Sequence, residues 1–597
     1  MTMTLTIDGQ KVTAPAGQTI LQVAQAAGID IPTLCHHPAL TPIGACRVCL
    51  VEVSGQRNLQ PACTFPAADR MEVRTESHKV VRARRFVLEL LFTERNHFCM
   101  ICEMSGACAL QELGYRYGLD RWMHPTYTRG YPVDASAPHH LLDHNRCTLC
   151  RRCIRACSEL AANHTLDLRH RGALTMLCAD MDVPLGQSSC ESCGSCIEVC
   201  PTGALVDKRS VFMARPDKLD RVATICTRCA LGCGLNVVLH RGHVLRVESL
   251  WDAPVNGGML CRKGRFEALE DGRPRVTEPA LREAGGQAAV SWNLALAETA
   301  RHLFHANPEN LGVFTTTGLT DEALRLLHAL FCRQLRAAHR GTFDGPAAPL
   351  PFPPSGRLGE LAASDLILAV EAHPGREQPV VEMFIRRAVD RGVRLVTVGE
   401  DQNGLGAFAE ARFASREIGV AVDLALSASR PMVVYGVDLS RTVAESLRRA
   451  VGKARFIPLP PGVNALTAAA LGINAGADPT GCRSLFIVAG EENAALPTLV
   501  PRIDPHAFVI VAASFTSTLT ERADVLLPMS IWLERSGSFT NLEGVALRAH
   551  AARPPLGQSR PDWDILSRLA ERLGLDMDAV RGETTRRAPQ TAGARRP

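Results

Sequence analysis

Apolar and polar positions alternate at the front of the chain and then change to a helical spacing. Leu5 and Ile7 share one face of a segment that ends at an Asp8-Gly9 turn, which predicts a β-hairpin. Apolar residues then recur at helical spacing over residues 20–24, and again around residues 80–91. The pattern therefore predicts a small β-sheet domain with one helix, followed by a second helix.

From about residue 276 onwards, short apolar runs alternate with helical segments. Leu366–Val370 is a strand-like run, Val380–Val389 marks a helix face that ends near Gly392, and a strand is predicted at residues 393–398. Further buried strands are predicted at residues 432–435, 485–489 and 508–511. Alternation of this kind indicates mainly parallel sheets covered by helices.

The composition of the chain excludes several classes of function. The chain has 597 residues, which is enough for several domains. Its formal net charge is only +5 and no block of like charge is present, so nucleic-acid binding is not expected. The N-terminus lacks the layout of a secretory signal, and the longest apolar runs, such as Ala507–Ala513, are too short to cross a bilayer. We expect a cytoplasmic protein without a membrane span, either free or on the cytoplasmic face of a membrane complex.

Cysteine is concentrated in the first half of the chain. Twenty of the 22 cysteines precede residue 262, and only Cys332 and Cys482 follow it. In a reducing compartment, clustered cysteines are more often metal ligands than disulfide partners. Cys178, Cys332 and Cys482 fit no ligand pattern and are assigned no role, since free cysteine is commonly a small buried apolar residue.

The first ligand pattern, C-x10-C-x2-C-x13-C, follows the predicted hairpin and helix. Its residues are Cys35, Cys46, Cys49 and Cys63. Four thiolates can hold two irons, and ferredoxins do so with a small β-sheet and a long ligand loop. The pattern predicts a [2Fe-2S] cluster, and a zinc ion is the alternative because four cysteines also suit zinc.

A histidine and three cysteines form the second pattern, H-x-C-x2-C-x5-C. Its residues are His97, Cys99, Cys102 and Cys108. Three cysteines leave a [4Fe-4S] cluster one ligand short, and an imidazole nitrogen can complete the set. A neutral ligand in place of a thiolate makes the cluster less negative and should raise its reduction potential. A purely structural histidine is the alternative.

The third pattern is a repeat of C-x2-C-x2-C-x3-C. The two runs are Cys147, Cys150, Cys153 and Cys157, then Cys190, Cys193, Cys196 and Cys200. In two-cluster ferredoxins, the fourth cysteine of each run binds the cluster of the other run. The repeat therefore predicts two [4Fe-4S] clusters, in which Cys200 completes the first set and Cys157 the second.

A fourth pattern opens the back half of the chain, with the spacing C-x2-C-x3-C-x27-C. Its residues are Cys226, Cys229, Cys233 and Cys261. This set predicts a further [4Fe-4S] cluster.

These motifs resemble those of the large iron–sulfur subunit of respiratory complex I and its soluble relatives. A single residue separates His97 from Cys99. This spacing is similar to that in the diaphorase subunits of soluble NAD-reducing hydrogenases and NAD-dependent formate dehydrogenases. Complex I subunits usually have three residues there. The fourth pattern resembles the [4Fe-4S] domain that begins the large subunits of molybdopterin oxidoreductases. Lys263 matches a lysine that formate dehydrogenases place between cluster and pterin, which implies a cofactor-binding role. A basic surface turn with Arg262 and Arg265 is the alternative.

The resemblance implies a multidomain α+β and α/β chain. We expect a [2Fe-2S] ferredoxin-like β-grasp domain at 1–78, a [4Fe-4S] domain with one histidine and three cysteine ligands at 79–125, a two-[4Fe-4S] ferredoxin domain at 136–215, a [4Fe-4S] domain of the molybdopterin-oxidoreductase type at 219–275, a truncated and degenerate molybdopterin-oxidoreductase-like α/β domain at 276–577, and a disordered tail at 578–597.

Several departures from the molybdopterin enzymes argue against a molybdenum cofactor. In formate dehydrogenases a metal-binding cysteine or selenocysteine, followed by histidine, lies after a Gly-Thr-Asn-Asn-like turn. The matching turn here, residues 341–344, runs into GPAAPLPFPPSG, which contains neither residue. The last domain of the superfamily should follow Thr540-Asn541, where only about fifty residues remain.

A G-x-G-x-x-A pattern at residues 404–409 does not lie directly between strand and helix, so it is weak evidence for a nucleotide site.

The leading hypothesis is an electron-transfer subunit of an NADH dehydrogenase complex, with one [2Fe-2S] and four [4Fe-4S] clusters and no substrate-transforming site. FMN and NAD would belong to a flavin/NADH-binding partner, accompanied by a thioredoxin-like [2Fe-2S] subunit. A dehydrogenase, a hydrogenase or a quinone module would lie downstream. The alternatives are a catalytic subunit of an NAD-dependent molybdenum formate dehydrogenase and a zinc-binding assembly factor. The sequence leaves open the terminal acceptor, the direction of electron flow and the cluster potentials.

Overall fold

The computed structural model describes residues 2–121, 123–124, 130–399 and 404–575. The chain divides into two compact units, Met1–Arg221 with Val238–Glu248, and Val222–Val237 with Ser249–Pro597. None of the helices in these described ranges is long and apolar enough to cross a membrane. The predicted disordered tail lies outside the described residues.

The first unit begins with the predicted hairpin. Strands Thr2–Ile7 and Gln10–Pro15 pair antiparallel, and helix Ile20–Ala26 follows, beginning with a capping box between Thr19 and Gln22. The hairpin belongs to a five-stranded sheet in the order Gln10–Pro15, Thr2–Ile7, Glu72–Arg74, Leu50–Val53 and Gln60–Pro61. The helix packs its buried face on this sheet, and two predicted ligands lie in the same core.

The rest of the first unit consists of helices and small sheets. Helix His78–Glu94 confirms the predicted second helix and packs against helix Ala109–Arg116 through a shared apolar core. The remaining elements are helices Arg152–Arg155 and Ser195–Val199, a three-stranded sheet in the order Leu205–Asp207, His140–Asp143 and Val133–Asp134, and a hairpin of Leu166–Arg169 with Met176–Ala179. Strands Asp220–Ile225, Gly234–His240 and His243–Ser249 lie where the chain passes between the units.

The second unit has two mainly parallel sheets, as the alternation of runs and helices predicts. The first has seven strands in the order Gly286–Ala289, Ala280–Glu283, Val525–Pro528, Phe508–Ala513, Ser484–Gly490, Leu311–Thr315 and His339–Thr342. The second is parallel throughout, in the order Ala411–Phe413, Arg394–Val398, Leu366–Val370, Pro431–Gly436 and Arg455–Leu459. All five predicted strands are thus confirmed as interior strands of these sheets.

Helices cover both sheets of the second unit. The longer ones are Trp292–His305, Asp321–Leu327, Pro379–Asp390, Ile418–Ser427, Arg441–Leu447, Ala465–Ala470 and Asp562–Arg572. Short helices are Arg262–Arg265, Pro374–Glu377, Leu496–Leu499 and Thr518–Arg522, and a hairpin joins Gly537–Thr540 to Ala546–Ala549. Cys332 lies in a π-helical segment, His328–Gln334, that continues helix Asp321–Leu327.

Candidate iron–sulfur sites

The first predicted ligand set lies in and beside the five-stranded sheet. The backbone N–H of Cys35 donates to Cys46 Sγ at 3.4 Å, and the N–H of Cys46 donates to Cys35 Sγ at 3.5 Å. The hydrogen bond between the two thiols lowers the pKa of Cys35 and raises that of Cys46. Cys49 and Cys63 are buried in the adjoining core. Donation of N–H groups to sulfur suits a negatively charged thiolate, so this set fits a [2Fe-2S] cluster.

The second set lines a single cavity. His97, Cys99, Cys102 and Cys108 surround about 300 Å³ of empty space. His97 Nε2 is buried and has no hydrogen-bond partner in the part of the chain that the structure describes. Burial, reinforced by the charge of Arg146, lowers the pKa of His97 to about 4, so its imidazole is neutral at physiological pH. A neutral imidazole with a free nitrogen is the form that binds metal, and the residues fit a [4Fe-4S] cluster with one histidine ligand.

A glycine makes room for one of these cysteines. A Cβ atom added at Gly203 would lie 2.7 Å from Cys102 Sγ. Any larger residue would therefore push into the position of the thiol, so the close approach of this backbone to the sulfur requires glycine.

Replacing His97 by cysteine is expected to lower the reduction potential at this site. A thiolate in place of a neutral imidazole adds one negative charge, which disfavours the reduced state. The measurement is an EPR-monitored redox titration of the anaerobically loaded chain. His78→Cys is the matched control, because His78 is exposed at the start of its helix. An unchanged potential in a loaded His97→Cys chain would mean that His97 is not a ligand.

The two repeated runs share one backbone geometry. Leu149 and Arg151 flank the second cysteine of the first run at φ 51° and 58°, and Ser192 and Gly194 flank that of the second run at φ 54° and 73°. In each run this turn directs an N–H group to the first sulfur, from Leu149 to Cys147 and from Ser192 to Cys190, both at 3.4 Å. A left-handed backbone costs non-glycine residues of order 1 kcal/mol, so the repeated outlier indicates a functional constraint.

The structure brings cysteines of different runs together. Cys147, Cys150, Cys153 and Cys200 line one cavity, whose lining does not include Cys157. Cys157 instead lies near the second run: burial raises the pKa of Cys190 to about 11, and Cys193 and Cys157 add to the increase. The structure thus brings Cys200 to the first three cysteines of the first run, and the exchange of fourth cysteines as cluster ligands stays a prediction.

The fourth set lies in the second unit. Cys226, Cys229, Cys233, Cys261 and Lys263 line a cavity with about 320 Å³ of empty space. A Cβ atom on Gly264 would lie 3.0 Å from Cys226 Sγ, so glycine again permits a close approach. The Nζ atom of Lys263 donates to the carbonyl oxygen of Arg376 at 2.5 Å. The lysine thus borders the cysteine site within its own unit.

Within the described ranges, no group of three His, Cys, Asp or Glu side chains could hold one metal ion. Burial raises the pKa of Cys147 to about 12 and that of Cys150 to about 11, so these thiols release protons when metal binds.

The turn that would precede a molybdenum ligand is used for packing. Asp344 accepts hydrogen bonds from the hydroxyl of Thr316 at 3.0 Å and from the N–H and hydroxyl of Thr317 at 2.7 and 2.9 Å. Further along, Phe352 is buried and stacks on Phe456 with ring centroids 4.8 Å apart. The segment after the turn therefore fills an aromatic core of the second sheet.

Sequence reasoning missed the arginines that accompany the ligands. Arg146 lines the His97 cavity and donates to the carbonyl oxygen of Asn96 at 2.7 Å. Arg155 is buried beside the first cysteine set. The sequence did contain a signal for these arginines. In NRCTLCRRCIRAC, Arg146 directly precedes a predicted ligand and Arg155 lies between two of them.

Comparison with protein families agrees with this order of sites. The matching models are the 2Fe-2S iron-sulfur cluster binding domain over residues 1–78, the NADH-ubiquinone oxidoreductase-G iron-sulfur binding region over 84–121, the ferredoxin-like domain of NADH-quinone oxidoreductase subunit 3 over 138–206, the molybdopterin oxidoreductase Fe4S4 domain over 219–268, and molybdopterin oxidoreductase over 472–572. Fold and sites together define an iron–sulfur electron-transfer protein joined to a molybdopterin-oxidoreductase-like α/β region.

The curated relatives show which family within this class the chain belongs to. The NADH-quinone oxidoreductase-G protein of Mycobacterium bovis is 30% identical, in a match that covers 98% of this chain and 82% of the relative. The chain belongs to the NADH-quinone oxidoreductase-G family and is an electron-transfer subunit of an oxidoreductase complex. The family resemblance of its motifs is therefore confirmed.

Two further matches cover a smaller share of this chain. The second NADH-quinone oxidoreductase-G protein of Rhizobium meliloti is 33% identical, over 65% of this chain and 46% of the relative, so the chain matches less than half of that protein. A chain from the crystal structure of an NAD+-reducing [NiFe]-hydrogenase in the H2-reduced state is 38% identical, covers 36% of this chain and 90% of the other, and has a TM-score of 0.34.

Proposed function

We propose that the chain relays electrons through one [2Fe-2S] and four [4Fe-4S] clusters, between a flavin/NADH-binding partner subunit and a downstream acceptor. The observation that carries this proposal is the single cavity lined by three cysteines of one run and the fourth cysteine of the other. The clusters supply one-electron redox chemistry when bound. The chain's own residues hold them, exclude water and direct N–H groups to sulfur.

The proposed ligand sets are those of the sequence patterns. They are Cys35, Cys46, Cys49 and Cys63 for [2Fe-2S], then His97, Cys99, Cys102 and Cys108; Cys147, Cys150, Cys153 and Cys200; Cys190, Cys193, Cys196 and Cys157; and Cys226, Cys229, Cys233 and Cys261 for [4Fe-4S]. The corresponding domains are 1–78, 79–125, 136–215 and 219–275, followed by a degenerate molybdopterin-oxidoreductase-like domain at 276–577.

Residues 276–577 serve as a scaffold in this proposal, without a molybdenum cofactor. The occupied aromatic core after residues 341–344 supports this part, because a metal ligand is replaced there by packing residues. Lys263 then acts on the fourth cysteine set as a nearby positive charge, and no pterin is required.

Partners supply the remaining cofactors. FMN and NAD belong to the flavin/NADH-binding subunit, and a thioredoxin-like [2Fe-2S] subunit belongs to the same complex, in the cytoplasm. Phe98, Met100 and Ile101 are 59%, 85% and 66% exposed on the segment that holds the His97 site. An exposed apolar patch beside a cluster cavity suits the docking of the downstream subunit.

Metal analysis with EPR on the anaerobically purified chain tests the proposal. We expect about 18 irons per chain from one two-iron and four four-iron clusters, without molybdenum, tungsten or zinc. Stoichiometric molybdenum or tungsten would support the formate dehydrogenase alternative instead. Zinc in place of iron, with no visible absorption, would indicate a structural role.

A further inference from the structure

One helix joins two of the proposed cluster sites. Helix Arg152–Arg155 continues as a π-helical turn, Ala156–Leu160, and carries a ligand of each ferredoxin-type site. The buried guanidinium of Arg155 donates to the carbonyl oxygens of Cys35 and Thr41. The carboxylate of Glu159 accepts the N–H of Thr41 at 2.7 Å. The loop that carries Cys35 is therefore held against this helix.

Arg152 points into the junction that these contacts create. Its Nη1 atom lies 3.5 Å from the carbonyl oxygen of Val199, the residue before Cys200. Its Nε atom is buried and has no hydrogen-bond partner within the described ranges. Burial lowers the pKa of Arg152, and the charges of four nearby thiols oppose this decrease. Those thiols are Cys150 and Cys200 of one site and Cys35 and Cys46 of the other.

We propose that Arg152 is a shared counter-charge that sets the reduction potentials of two clusters, the [2Fe-2S] cluster of the Cys35 set and the [4Fe-4S] cluster of the Cys147 set. This inference rests on the proposed function, because it takes both ligand sets as occupied. A fixed positive charge in a poorly solvated site stabilises the more negative, reduced state of a nearby cluster and so raises its potential.

Arginine suits this role because it stays charged when buried. Since the charge of Arg152 acts on thiols of both sites, its removal should affect both potentials in the same direction. The His97 site has its own arginine, Arg146, at its cavity, so we expect its potential to depend on Arg146 and not on Arg152.

The test compares Arg152→Gln with Arg152→Lys in the loaded full chain by EPR-monitored redox titration. Arg152→Gln is expected to shift both midpoint potentials to more negative values, and Arg152→Lys to keep most of the wild-type values. The [2Fe-2S] signal persists to higher temperature than the [4Fe-4S] signals, and the signal lost in a Cys200→Ser chain identifies the second cluster. Arg171→Gln is the matched control, because Arg171 is exposed and lines none of the cysteine cavities described above.

Outcomes separate this inference from the proposed function. A wild-type chain without clusters contradicts the proposed function itself. A loaded Arg152→Gln chain with unchanged potentials, with a shift at one site only, or with the same shift as Arg152→Lys, overturns the shared counter-charge. If Arg152→Gln does not load, Arg152→Met is measured in its place. Failure of both neutral variants, with a normal Lys variant, would mean that the charge is needed for assembly and would also overturn the inference.

Discussion

Replacing Cys200 by serine is expected to remove about four of the roughly 18 irons and to abolish the cluster whose other ligands lie about fifty residues earlier in the chain. The reason is the cavity that Cys200 shares with Cys147, Cys150 and Cys153. Serine is a poor substitute for a thiolate ligand, and the other three cysteines leave one iron without protein ligation. Iron analysis and low-temperature EPR of the anaerobic chain measure the loss.

Three further variants make this prediction specific. Cys147→Ser should abolish the same EPR signal as Cys200→Ser, and Cys157→Ser should abolish the other one. Cys178→Ser is the control and should keep the full iron content, because Cys178 lies on the hairpin strand Met176–Ala179 and belongs to none of the predicted ligand sets. If Cys147→Ser abolished the signal that is lost in Cys157→Ser, and not the one that is lost in Cys200→Ser, the exchange of ligands between the two runs would be wrong.

Replacing Glu534 by alanine is expected to lower the free energy of unfolding by about 3–5 kcal/mol, because it leaves buried positive charge without a partner. The Glu534 side chain is 0% exposed and accepts a bidentate pair of hydrogen bonds from Arg275 at 2.9 and 2.7 Å. Arg553 donates to the same carboxylate at 2.9 Å. Urea unfolding followed by tryptophan fluorescence measures the change, since Trp532 is nearby in sequence. Glu445→Ala is the control.

The control pair differs from this network chiefly in exposure. Glu445 and Arg441 form an ion pair at 2.8 Å one helical turn apart, but their side chains are 53% and 90% exposed. Exposed pairs of this kind contribute about 0.3–0.5 kcal/mol. A Glu534→Ala effect no larger than that of Glu445→Ala would show that the buried network adds nothing to stability.

The same carboxylate gives the stability a pH dependence. Burial alone would raise the pKa of Glu534, but the hydrogen bonds and charges of Arg275 and Arg553 outweigh burial and lower it. A pKa below the unfolded value means that the stabilisation is complete above the unfolded pKa, about 4.3, and is lost as pH falls through the folded value. The difference in stability between the parent chain and Glu534→Ala should therefore shrink in acid.

The grouping of the cysteines into sets was predictable because each set is defined by short-range spacing. A residue pair such as Cys147 and Cys150 must face one site whatever the rest of the chain does, and the Leu366–Val370 run can only be a buried strand or a short helix segment. The exchange of Cys157 and Cys200 between the two runs follows from the repeat and stays a prediction. The hairpin, both early helices and the parallel strands are confirmed for the same reason.

Features that depend on distant parts of the chain were not predictable. Arg155 lies 120 residues from Cys35, whose carbonyl oxygen it binds, and no local pattern encodes that contact. The antiparallel strand Ala280–Glu283, which pairs with Val525–Pro528, is likewise joined by a pairing across more than two hundred residues. The stacking of Phe352 on Phe456 depends on how a proline-rich segment crosses a sheet. Such contacts are chosen by tertiary packing, which sequence periodicity does not report.

The fastening of the Cys35 loop to helix Arg152–Arg155 also bears on how electrons can move. Some redox proteins carry a cluster on a tethered arm that swings between donor and acceptor. Here Arg155 and Glu159 hold the loop at both Cys35 and Thr41, so the loop is fixed to its neighbour. With both proposed clusters in place, electrons would cross this junction by hopping over a constant gap, at a rate set by separation and driving force and not by the diffusion of a domain.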